Sequence, residues 1–338
     1  MNVPIINGEV EYQSYNIVEN RIKQFKRNYK IGTDESGDYD MYKIELGDET
    51  KPTIMLQSGL HGTEWQGVQY TLKFMEMLEN DNYPDKDFRE KLLNNFHIVY
   101  IPIANPWGYA NTNETSRVGG RNNSNDVDLN RDFEDFTQQE TNIIKDVILE
   151  YKPFAFLDVH LIIASGTSLI IGNGQIETEH IRNEFADLWS SFTGHNVTLW
   201  SSNTNNPGLV RTYVAGVDNE YTQHSLSYIT EIGREADNTP SVNTNEDIYN
   251  YGMASLYIFF NTSIKYFESE NNIVEPDEFV YKIVAPNKTV YLYRDNEGVT
   301  NSIIEEFING DIVETIINRD SEGNVDSFEK KLIDSDGD

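Results

Sequence analysis

Apolar and polar positions follow two rhythms along the first 270 residues. Short apolar runs of β type lie at Met41–Leu46, Thr53–Ser58, Ile98–Ile103, Ala155–His160 and Ser227–Glu231. Between them come helix-length segments, about Thr63–Leu78, Thr137–Tyr151, Ile176–Thr193 and Glu246–Phe267, with apolar residues recurring at three and four. Strands alternating with helices predict an α/β body over residues 1–270: three layers, α/β/α, around a central mixed, mostly parallel twisted sheet. Ligand sites in such folds lie at the carboxyl ends of strands. The rhythm then changes. From residue 276 to 338 the chain reads as short β-rich runs at Phe279–Val284, Thr289–Arg294, Ser302–Ile308, Asp311–Asn318 and Ser327–Leu332. Turn sequences at Asp295-Asn296-Glu297-Gly298, Asn309-Gly310 and Asp320-Ser321-Glu322-Gly323 separate them, which predicts a small β-meander appendage.

Composition narrows the chemistry. The 338 residues include no cysteine, so disulfides, thiolate metal sites and a cysteine nucleophile are excluded, and any metal must use histidine and carboxylate ligands. A formal charge of −30 repels phosphate backbones and argues against nucleic-acid binding. The tail from Glu268 onward carries 6 basic against 18 acidic residues, a net of −12, and is more acidic per residue than the body. No apolar run approaches the roughly 18 residues of a membrane span, so no membrane association is expected. The opening Met1-Asn2-Val3-Pro4-Ile5-Ile6 lacks the pattern of a classical signal peptide. The expected location is therefore cytoplasmic or virion-associated.

Four segments carry candidate chemistry. In Thr53-Ile54-Met55-Leu56-Gln57-Ser58-Gly59-Leu60-His61-Gly62-Thr63-Glu64 a strand passes through a glycine-bearing turn into a helix. His61 and Glu64, three apart at that junction, can converge as an imidazole and carboxylate pair suited to zinc. The apolar strand Phe154–His160 ends in a histidine, with Asp158 on the same side. Asn105-Pro106-Trp107-Gly108-Tyr109 precedes a loop rich in Asn and Gly that holds Arg121 and Arg131, placed to bind an anion. A last β run ends at Glu231-Ile232-Gly233-Arg234.

Taken in chain order, these segments resemble the zinc carboxypeptidase family, whose pattern is His-x-x-Glu, Asn-Pro-x-Gly, Asp-x-Asn-Arg, a strand-end His and a strand-end Glu. The resemblance covers about Tyr42 to Phe267. It implies one zinc ion per chain held by His61, Glu64 and His160, with Asp128 orienting a ligand histidine. It further implies Glu231 as general base, Arg121 as the group that polarises the scissile carbonyl, and Asn130 and Arg131 as the clamp on a substrate's terminal carboxylate. Tyr213 is similar to the family's mobile tyrosine that closes over substrate. Two departures stand out: Leu161 follows His160 where many members have serine, and Asp126 replaces the usual glycine. The spacing from Arg121 to Arg131 is closer to bacterial cell-wall-peptide members than to digestive ones. The implied activity is a metallocarboxypeptidase acting on a peptide with a free C-terminal carboxylate. Alternatives are an N-acyl amino acid amidohydrolase resembling the aspartoacylase and succinylglutamate desuccinylase group, or a structural protein that keeps the fold. The acidic β-rich tail is similar in style to phage tail-associated proteins, where it would serve homo-oligomerisation or virion assembly.

Overall fold

The computed structural model describes residues 3–113, 120–163, 168–200, 206–234, 243–271, 279–285, 288–294, 300–307, 312–319 and 325–333. They form two compact units, Met1–Glu270 and Asn271–Asp338. The first is built on eight strands: β1 (Asn28–Thr33), β2 (Asp40–Gly47), β3 (Thr53–Ser58), β4 (His97–Ile101), β5 (Ala155–Ile162), β6 (Leu169–Asn173), β7 (Val197–Trp200) and β8 (Leu226–Gly233). Their order across the sheet is β1-β2-β4-β3-β5-β8-β6-β7. Parallel pairings join β3 to β4 and β5, β5 to β8, and β6 to β7. Antiparallel pairings join β1 to β2, β2 to β4, and β6 to β8. The sheet is mixed, as expected, with its parallel strands at the centre, where β3 and β4 are buried throughout.

Alternation sorts these central strands onto two cores. Ile54, Leu56, Ile98, Tyr100 and Leu157 face one; Met55, Val99 and Phe156 face the other. The larger core is covered by α1 (Tyr15–Ile22), α2 (Trp65–Glu79), α6 (Glu179–Thr193) and α8 (Asn245–Asn271). Helix α2 inserts Trp65, Val68, Leu72 and Met75 at the three- and four-residue spacing of one face. The start of α8 is set by a reciprocal cap: the Asp247 amide donates to Thr244 Oγ1 at 3.1 Å and the Thr244 amide donates to Asp247 Oδ2 at 2.8 Å. The opposite core is covered by α5 (Gln139–Tyr151) and α7 (Val210–Ala215). Two further helices, α3 (Lys86–Asn95) and α4 (Pro106–Ala110), lie on connections.

The pattern of apolar residues does not foretell α1, α3, α4, α7, β1, β6 or β7. These are short or edge elements. Strand β7 has four residues, none fully buried, and α3 is mostly polar, started by Asp85, whose carboxylate accepts from the Phe88 amide at 3.0 Å. In the second unit, β9 (Phe279–Ala285), β10 (Lys288–Arg294), β11 (Thr300–Phe307), β12 (Ile312–Arg319) and β13 (Val325–Ile333) pair antiparallel in chain order, a five-stranded meander. The expected turns at Asp295–Gly298, Asn309-Gly310 and Asp320–Gly323 lie outside the described residues, as does the expected boundary at Pro276.

Deleting the chain from Pro276 onward is expected to leave the first unit with cooperative unfolding and one bound metal per chain, since both of its cores and every candidate site residue precede Asn271. Thermal melts and metal analysis of the shortened chain check this. A non-cooperative melt would show that the first unit depends on the meander.

Candidate metal and active site

The carboxyl ends of the central parallel strands bring the candidate residues together. After β3 ends at Ser58 the chain turns through His61 and Glu64 before α2 begins. Glycine is required at position 62: a Cβ there would lie 2.0 Å from the backbone carbon of Gly108 in α4. The Asn-Pro-x-Gly segment thus packs directly against the ligand turn. Asn105 ties it down, its Oδ1 accepting from the Gly108 amide at 2.9 Å and its Nδ2 donating to the carbonyls of Arg121 at 3.3 Å and Leu60 at 3.4 Å. On the next strand, β5 supplies Asp158 and His160, and the register sets Glu231 of β8 beside His160.

His61, Glu64 and His160 are all buried, with ligand-capable atoms within 4.8 Å of one another. His61 Nδ1 lies 2.9 Å from Glu64 Oε1, His160 Nδ1 lies 3.0 Å from Glu64 Oε2, and the two Nδ1 atoms are 3.2 Å apart. Each ring turns its other nitrogen to a carboxylate: His61 Nε2 is 3.0 Å from Asp128 Oδ1, and His160 Nε2 is 2.7 Å from Asp158 Oδ2. Both Nε2 atoms are therefore donors to acids, which leaves both Nδ1 lone pairs pointing at the same spot. Such outer carboxylates fix tautomer and ring orientation in zinc sites. Glu64 is held from behind by the Leu161 amide, which donates to Oε2 at 2.9 Å. Leu161 thus holds the ligand through its backbone amide, which any residue but proline could provide.

The charge balance fits a dication. Burial opposes charge on the imidazoles, yet Glu64 and Asp128 raise His61, and Asp158 and Glu64 raise His160 well above the ordinary range. Burial likewise opposes ionisation of Glu64, but His61 and His160 bring its carboxyl far below the usual carboxylate range. Two imidazole nitrogens and an ionised carboxylate crowded around one point are the ligand set a zinc ion takes. Asp128 is held low, against the effect of burial, by His61, Arg121 and Arg131. Glu231 moves the other way. Burial lifts its carboxyl to about 7, with His160 opposing and Glu64 adding to the rise.

The expected anion-binding loop reaches the same place. Arg121 sets Nη2 3.0 Å from Asp128 Oδ2 and Nη1 3.3 Å from His61 Nδ1. Asp128 starts the 3-10 turn Leu129–Arg131, accepting from the Asn130 amide at 3.0 Å. Asp126 takes φ +61°, the left-handed conformation that explains why glycine is the usual residue there and why aspartate is a tolerable replacement. Asn130 Oδ1 accepts from the Val210 amide at 3.1 Å, so its NH2 group is the end left for a ligand. Asn130 and Arg131 line a cavity of about 460 Å³ with His61, Arg121, Arg211 and Glu231. A second lobe of about 570 Å³ shares His61, Arg121, Arg131, Trp200 and Glu231 and extends toward Leu161, Ile162 and Arg234.

Tyr213 is not brought to this cavity, contrary to the expectation from its likeness to a closing tyrosine. It packs on Phe136 and Phe133, with ring centroids at 5.0 and 6.4 Å. Two positions apart on a helix means opposite faces, and α7 turns Arg211 to the cavity instead. Sequence reasoning also missed the part played by Asp158, although its placement two residues before His160 was the available signal. Trp200 gave no signal, because β7 is too short to show a period.

The sequence model of the zinc carboxypeptidase family matches residues 12–275, and the chain belongs to that family. Among solved structures, a metallo-carboxypeptidase from Burkholderia cenocepacia is similar at a TM-score of 0.59 and 17% identity, over 74% of this chain and 68% of that one. Carboxypeptidase A from Helicoverpa armigera gives 0.56 and 18%, over 76% and 72%. At these identities the likeness is one of fold. Carboxypeptidase SOL1 of Arabidopsis thaliana is 31% identical over 120 residues, 34% of this chain and 23% of that protein. The carboxypeptidase N catalytic chain of Rattus norvegicus is 30% identical over 129 residues, 35% and 28%. The matched segments thus span about a quarter of these curated relatives.

Proposed function

We propose that this chain is a zinc metallocarboxypeptidase that removes the last residue of a peptide, with cell-wall peptides as the substrate class. The observation that carries this reading is the meeting of a complete ligand set, a raised carboxyl and a carboxylate clamp on one cavity: His61, Glu64 and His160; Glu231; Asn130 and Arg131. When bound, zinc supplies a Lewis acid that polarises a carbonyl and lowers the pKa of water. Glu231 takes the proton of the attacking water and returns it to the departing amine. Arg121, beside His61, faces the negative charge that develops on the carbonyl oxygen, a role worth about 3 kcal/mol for a well-placed donor. Asn130 and Arg131 hold the terminal carboxylate and so fix which bond meets Glu231. Asp128 and Asp158 hold the two imidazoles in place.

A pair of substrates tests the clamp. Charge-assisted hydrogen bonds contribute about 1.5 to 3 kcal/mol each, so a peptide with a free C-terminus should be cleaved on the order of a hundredfold faster than its C-terminal amide. Arg131→Ala should remove most of that difference by slowing only the free acid. Equal cleavage of acid and amide by the unaltered protein would reject the exopeptidase reading and leave a general zinc amidase. Murein stem peptides in the same panel test the cell-wall assignment.

A further inference from the structure

Arg211 has no task in the steps above, yet it is among the costliest groups in the cavity wall. It is only 5% exposed, and its Nε is buried with no hydrogen-bond partner. None of its guanidinium nitrogens has a hydrogen bond or ion pair among the described residues. Asp158 and Glu231 attract it without reaching ion-pair distance, and Asp158 is already engaged by Gln57 Nε2 at 3.0 Å and His160 Nε2 at 2.7 Å. An unpaired buried cation is strongly unfavourable, so such groups have partners or acquire them on binding.

The surroundings are built to hold this side chain. At Gly172 on β6 an added Cβ would clash with Ile229 Cγ2 at 2.7 Å and touch Arg211 Cζ and Nε at 3.5 Å, so the guanidinium lies against this strand beside Ile229. At Gly174 an added Cβ would come within 2.4 Å of the Arg211 carbonyl. Ser227 Oγ donates to that same carbonyl at 2.7 Å and fixes the first turn of α7. Leu199, Leu209 and Ile229 provide apolar wall around the cavity. Arg131 lines the same cavity. Of the three guanidinium groups lining this lobe, Arg121 is paired with Asp128 at 3.0 Å; Arg131 and Arg211 are left to meet a ligand's negative charges, and the terminal carboxylate of a peptide supplies one.

We propose that Arg211 is the specificity-determining residue of this lobe and that the residue released is dicarboxylic: its α-carboxylate lies on Asn130 and Arg131, and its side-chain carboxylate on the guanidinium fork of Arg211. The inference rests on the carboxypeptidase reading for the identity of the ligand. A planar fork accepts a carboxylate through two parallel hydrogen bonds. An apolar last residue leaves Arg211 unpaired, and a basic one meets a like charge.

The test compares the zinc-loaded full chain on N-acylated dipeptides ending in Glu, Asp, Leu or Lys, with calorimetric binding of free glutamate and free leucine as a readout independent of turnover. Glutamate peptides should exceed leucine peptides in kcat/KM by roughly ten- to hundredfold, mostly through KM, with lysine peptides slowest. Arg211→Met should reverse the Glu over Leu preference, and Arg211→Lys, which keeps charge without the fork, should retain part of it and serves if the methionine variant does not fold. Faster cleavage of leucine peptides by the unaltered enzyme, or an unchanged preference in the variants, overturns the proposal. If no peptide is cleaved, glutamate binding at least tenfold tighter than leucine, lost in the variants, upholds the subsite and rejects the peptidase reading; equal binding rejects the subsite.

Discussion

Glu231→Gln is expected to lower turnover by at least about a hundredfold while leaving fold and zinc content unchanged, because the amide cannot accept a proton from water. The variant should also expose the cost of the group it replaces. In the metal-free protein, burial raises this carboxyl from 4.5 to about 7. A carboxyl with a raised folded pKa favours folding when protonated, so its contribution is fully present below 4.5 and is lost as pH rises through 7. Metal-free Glu231→Gln should therefore be more stable than the unaltered protein at pH 8, by about 3 kcal/mol, and no more stable near pH 4.5. A neighbouring dication draws the value down, which places the acid limb of the loaded enzyme below 7. Thermal melts at the two pH values and a pH profile of kcat/KM check both statements. Near-normal turnover would assign the base to another residue.

His160→Ala should bring bound zinc from one per chain to nearly none after dialysis. One of three ligands is gone, and the loss goes further, because Asp158 and Glu64 are then both buried without the imidazole that stands between them. Removing one partner of a buried charged pair costs about 3 to 5 kcal/mol, so the metal-free variant should also melt earlier. His160→Gln, which keeps bulk and a donor for Asp158, separates the two effects: metal lost, stability partly recovered. A second signature comes from the protons. Carboxylates raise both His61 and His160, so zinc must displace protons to bind, and binding heats measured in buffers of different ionisation enthalpy should report their release. Stoichiometric zinc in folded His160→Ala would show that the ligand assignment is wrong.

The sequence by itself determined the parts whose signal is local. Strand β3 begins and ends where its apolar run does, and the five tail strands lie where β-type runs stand between turn residues. His61, Glu64 and His160 were legible because each stands at the end of a long apolar strand or the start of a long helix, and the order of such segments is preserved in the chain. What the tertiary structure decided are relations between distant segments. The antiparallel placing of β6 beside β8 and the addition of β7 beyond it complete the cavity wall, yet neither strand is long enough to announce its partner. Which side of α7 faces the site depends on how Val210 and Val214 seat against the second core. That seating sends Tyr213 to Phe136 and Arg211 to the cavity, because helix phase is set by packing and a six-residue helix has too few turns to show it in sequence.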